Sequence, residues 1–165
     1  LRRAVAAVRR RGVEVATPPL GVMIEVPAAA IGAESLADAV EFFSIGTNDL
    51  VQYLLAVDRN NDALSDLYSP LHPGVLRLLA HVIRAGTRHR IPVAVCGEMA
   101  GDPWMAPLLL ALGLREFSLH PGKLLELRRA IRECDLGRLL ARSEQLLQAR
   151  DRQAIERWLA EARRG

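Results

Sequence analysis

The chain of 165 residues is half hydrophobic and one-quarter charged, with a formal net charge of +3. It is long enough for one domain with a real core, and the composition excludes a disordered chain. No apolar stretch approaches the roughly 18 residues of a membrane helix, and two cysteines, Cys96 and Cys134, are too few for a disulfide framework. The basic N-terminus carries no cleavable apolar region, so a cytoplasmic chain without membrane contact is expected. Lys123 is the only lysine among 22 basic residues. The arginines around Arg9–Arg11 and Arg128–Arg132 fall on helical patterns, which read as solvated helix faces and not as a nucleic-acid patch.

Leu1, Val5 and Val8 recur at helical spacing, and Gly12 ends that helix. A start inside a helical pattern predicts an excerpt from a longer protein. Residues 20–25 read as a buried strand closed by Pro27, and residues 35–40 as a short helix. Residues 42–46 form a second strand, followed by Thr47-Asn48-Asp49 and a helix near 50–56. A polar loop at 58–66 leads to Pro73 and Gly74 and a long amphipathic helix through about His89. A third strand is expected at 92–96, a helix at 101–112, and a fourth strand at 116–119. Helices follow near 124–131, 136–147 and 153–162. Alternating strands and helices, with near-continuous apolar strands, predict an α/β fold with a parallel sheet. Four such units amount to half of a (β/α)8 barrel.

Each strand runs into polar, reactive residues at its carboxyl end, where α/β folds place their sites. Glu25 ends an apolar run, where a carboxylate is costly to bury unless paired or metal-bound. It either turns to solvent or caps a helix, or it serves as a ligand. Asn48 and Asp49 suit helix capping. Glu25 and Asp49 equally suit Mg2+, which takes one or two carboxylates plus substrate oxygens and water. Arg59, ten residues past Asp49, either lies on the surface or folds back to grip an anion. Cys96 precedes Gly97, with Glu98 and Asp102 close in sequence. It reads as core packing or, at a strand's carboxyl end, as a protonated thiol acting as an acid. Cys134, in a helical stretch, is incidental. His72, His81 and His89 lack metal spacing, and His120 alone closes a strand.

Taken together, residues 41–59, Glu-Phe-Phe-Ser-Ile-Gly-Thr-Asn-Asp-Leu-Val-Gln-Tyr-Leu-Leu-Ala-Val-Asp-Arg, resemble the signature of phosphoenolpyruvate-utilising enzymes throughout. Val22-Met23-Ile24-Glu25-Val26-Pro27 and Cys96-Gly97-Glu98-Met99-Ala100-Gly101-Asp102 match two further motifs in order. The Enzyme I branch of the bacterial sugar phosphotransferase system is the nearest likeness, from about Gly21 to Ile131. Pyruvate phosphate dikinase and phosphoenolpyruvate synthase share the metal and cysteine motifs, and a non-catalytic association fragment is a third reading.

The resemblance implies the C-terminal half of a (β/α)8 TIM-type barrel with added C-terminal helices, forming one partial domain over 1–165. Within it, 1–19 is a helix and linker, 20–133 the core, and 134–165 terminal helices. It further implies that Glu25 and Asp49 hold Mg2+, that Asn48 and Arg59 bind phosphoenolpyruvate, and that Cys96 protonates the enolate carbon to give pyruvate. The partners it implies are a phospho-histidine N-terminal domain, the carrier HPr and a second copy of the chain. None of the four histidines stands in the phospho-accepting context, so the fragment alone is expected to be inactive, and His120 receives no role.

Overall fold

The computed structural model describes residues 1–163. The helix Arg2–Arg10 (α1) ends before Gly12, whose φ of +79° needs the freedom of glycine. The strands are Gly21–Ile24 (β1), Phe42–Gly46 (β2), Val93–Cys96 (β3) and Glu116–Phe117 (β4). They pair in parallel in the order β1-β2-β3-β4, so each lies beside its sequence neighbour. Helices Pro27–Ile31 (α2) and Ala33–Ala37 (α3) join β1 to β2. Thr47–Leu55 (α4) and Pro73–His89 (α5) join β2 to β3, while Glu98–Gly101 (α6) and Ala106–Ala111 (α7) precede β4. Leu124–Arg132 (α8), Leu136–Ala141 (α9), Ser143–Leu147 (α10) and Arg152–Ala162 (α11) complete the chain.

The register puts Ile24, Ile45 and Val95 side by side, all without solvent exposure. This face meets the helices in a core shared with Leu79, Leu108, Leu109 and, from the terminal helices, Ile155 and Leu159. Helix α5 comes close to β3 because Gly86 has no Cβ, which would collide with Val93. Alternation along the strands turns Met23, Ser44 and Ala94 to the other face, where Met23 is 46% exposed. That open face corresponds to the inside of a TIM-type barrel, which these four strands build in part and do not close.

The expected order of elements holds, with local differences. The helix expected at 35–40 is two short ones, beginning at Pro27 and broken at Gly32. The helix expected at 101–112 is interrupted after Gly101, where Pro103 lacks a donor and the Asp102 carboxylate accepts the Trp104 amide at 2.8 Å. The helix expected at 136–147 breaks at Arg142, whose carbonyl accepts the Trp158 indole N–H at 3.2 Å. Strand β4 is two residues long, yet the Ser118 amide still reaches the Val95 carbonyl at 2.9 Å. The loop expected at 58–66 contains a 3-10 turn, Asp62–Leu67.

Candidate active site at the strand ends

The carboxyl ends of β2 and β3 are fastened together by the Thr47-Asn48 pair. Helix α4 starts directly after Gly46, and neither Thr47 nor Asn48 caps it. The Thr47 hydroxyl, only 1% exposed, donates to the Cys96 carbonyl at 2.8 Å. The Asn48 side chain accepts the Glu98 backbone amide at 3.1 Å. Between these bonds sits Gly97 at φ +90°. A Cβ there would lie 2.7 Å from Thr47 Oγ1 and 2.8 Å from Asn48 Oδ1, so no other residue fits the turn.

The Cys96 thiol projects from β3 across the open sheet face. Its Sγ donates to the Ile45 carbonyl at 3.4 Å and lies 3.6 Å from the Ser44 hydroxyl and 3.7 Å from Met23 Sδ. Cys96 is partly buried and is not a residue of the helix-facing core. Cys134 also is a free thiol, donating to the Ala130 carbonyl on α8 at 3.1 Å, where burial raises its pKa.

Glu25 follows β1, and its carboxylate packs against Gly46, with Oε2 3.1 Å from where a Cβ on that glycine would stand. Asp49 lies in the first turn of α4, three residues on. Arg59 folds back to it, with Nη2 3.6 Å from Asp49 Oδ1, both side chains being more than one-third exposed. The reversal has a local cause. Helix α4 stops at Ala56, a non-glycine residue at φ +54°, and the Gln52 side chain accepts the Arg59 amide at 3.2 Å. Among the described residues no trio of His, Cys, Asp or Glu forms a closed metal cage. Glu25 and Asp49, on adjacent strand ends, are hard-oxygen donors of the type that Mg2+ takes in ones or twos.

Tyr68 enters this constellation without a sequence signal that marks it. Its hydroxyl donates to the Asn48 carbonyl at 3.2 Å. Burial, and then the nearby Glu98 and Asp49 carboxylates, push its pKa above the usual 10, against the opposing pull of Arg59. The same group of neighbours brings Glu98 into the site.

An open cleft of about 430 Å3 adjoins these residues, lined by Asn48, Glu98, Asp102, His120 and Lys123 among others. His120 caps the turn after β4 by accepting the Gly122 amide on Nδ1 at 3.2 Å, as His72 does for Gly74 at the start of α5. Thus Asn48, Asp49 and Arg59 come together around Tyr68, Cys96 is tied to them through Thr47, and Glu25 approaches through Gly46.

Residues 1–136 match the family described as "PEP-utilising enzyme, PEP-binding domain". The chain is 52% identical over 132 residues to a phosphoenolpyruvate-protein phosphotransferase of Cupriavidus necator, covering 80% of this chain and 22% of that protein. Proteins of the same name from Geobacillus stearothermophilus and Listeria monocytogenes are 50% identical over 128 residues and 46% over 143. Those matches cover 77% and 86% of this chain, and 22% and 25% of the relatives. The chain therefore spans about a quarter or less of the length of these curated relatives.

Proposed function

The chain belongs to the phosphoenolpyruvate-utilising enzymes through their phosphoenolpyruvate-binding domain, and from that premise we propose that its strand ends hold phosphoenolpyruvate and Mg2+ within a phosphoenolpyruvate-protein phosphotransferase. The observation that carries this reading is the cross-linking of Thr47 and Asn48 to the Cys96–Glu98 turn, which makes the signature helix and the cysteine one rigid unit.

The Glu98 N–H can only donate, so the Asn48 atom it meets is Oδ1, and the Asn48 NH2 is left for an anionic substrate. Arg59 brings a guanidinium, suited to carboxylate or phosphate, to the same helix end. Glu25 and Asp49 are the residues that would hold Mg2+, which when bound neutralises charge on the substrate oxygens. As the bridging C–O–P linkage gives up its phosphoryl group to a histidine on a separate domain, the electron pair left on oxygen forms the enolate. The Cys96 S–H then supplies the proton to the enolate carbon, giving pyruvate. The histidine passes the phosphoryl group to HPr, and the protein works as a cytoplasmic homodimer.

Cys96→Ala in the full-length protein tests the assignment of the acid. Pyruvate release in a single turnover should be lost while phosphoenolpyruvate still binds, because the thiol acts in the chemical step and not in the ground-state clamp. Near-normal release would remove Cys96 from the mechanism.

A further inference from the structure

The Arg59 segment is an exposed excursion between α4 and α5, and its anchoring is legible. At its start the Val57 and Arg59 amides bond the Gln52 backbone and side chain at 3.1 and 3.2 Å. Residues 58–62 are then solvent-exposed, and the Arg59 side chain itself is about one-third open to solvent. At its far end, directly after the turn Asp62–Leu67, stands Tyr68, and the chain is buried again at Ser69 and Leu71. The Tyr68 hydroxyl bonds the Asn48 carbonyl 20 residues earlier, with Arg59 and Asp49 beside it.

We propose that Tyr68 is a positioning residue of the phosphoenolpyruvate clamp, its hydroxyl holding the Asn48 backbone and the Arg59 loop together at the strand ends. The proposal rests on the functional reading above and adds a residue to it. One hydroxyl joins both ends of the clamp: it fixes the residue that offers the amide NH2 and closes the loop that offers the guanidinium. Without it, Arg59 keeps only its half-exposed partner Asp49 and the Gln52 anchor, and exposed ion pairs of that kind restrain little.

Tyr68→Phe keeps the ring and removes only the hydroxyl. In the full-length protein KM for phosphoenolpyruvate should rise about fivefold with kcat held within about twofold, the loss of one neutral hydrogen bond. Amide hydrogen exchange over residues 57–67 should quicken while the melting temperature hardly moves. A lower melting temperature with unchanged KM and unchanged exchange would overturn the proposal, leaving Tyr68 a packing residue. Asp49→Ala, measured in parallel, separates the two claims. Unchanged KM in Tyr68→Phe, where Asp49→Ala abolishes turnover, overturns the role of Tyr68 alone. Wild-type turnover in Asp49→Ala overturns the site itself and the role of Tyr68 with it.

Discussion

The Asn48 carboxamide accepts the Glu98 backbone amide at 3.1 Å, so a residue suited by type to capping its own helix instead braces the neighbouring strand end. Its oxygen is spent inside the protein, and Asn48 is also one of the residues that line the cleft.

Asn48→Asp should expose that division of labour. The carboxylate still accepts the Glu98 amide, so the fold survives with stability within about 1 kcal/mol of wild type. The donor is gone and a negative charge stands beside Asp49 and Glu98, so phosphoenolpyruvate binding should weaken by about a hundredfold or more. Calorimetric titration together with urea unfolding reads both effects. Asn48→Ala should lose the brace as well, costing roughly 1–2 kcal/mol.

The Gly97 turn admits no side chain. Gly97→Ala forces a Cβ into Thr47 Oγ1 and Asn48 Oδ1 at a φ of +90°. The expected loss is about 2–4 kcal/mol, from strain and from two broken hydrogen bonds. Denaturant midpoints measure it. A loss below about 0.5 kcal/mol would mean that the strand ends are not locked as described.

The folded-state pKa of Tyr68 is raised, which fixes the sign of its pH effect. Below pH 10 the hydroxyl is protonated in folded and unfolded chains alike, and the associated stability is fully present. As pH rises past 10 the unfolded chain releases its proton first, which favours unfolding until the folded hydroxyl also titrates. Tyr68→Phe should therefore flatten the decline of stability as pH rises above 10, read from thermal melts on either side of that value.

The strand ends were legible in sequence because buried parallel strands write themselves as short apolar runs. Residues 42–46 form β2 as expected, and Glu25, Asn48, Asp49 and Cys96 each follow or close one. The helix boundaries were less so. Asp102-Pro103 breaks a helix that apolar periodicity alone carries through, and Arg142 ends α9 through a bond from Trp158, 16 residues away. Tyr68 was invisible for the same reason: its partner lies 20 residues earlier, and nothing in Asp66-Leu67-Tyr68-Ser69 differs from an ordinary loop end. That Arg59 folds back to grip an anion was readable as one option, but its pairing with Asp49 and the Gln52 bond that holds the turn are tertiary facts.

The most direct measurement is calorimetric binding of phosphoenolpyruvate to the full-length protein, with and without Mg2+, for wild type, Glu25→Ala and Asp49→Ala. Wild type should bind tightly only with Mg2+, and each variant should lose that dependence while keeping its fold, since a two-carboxylate site cannot spare either ligand. Undiminished, Mg2+-dependent binding by either variant would contradict the placement of the metal and the substrate at these strand ends.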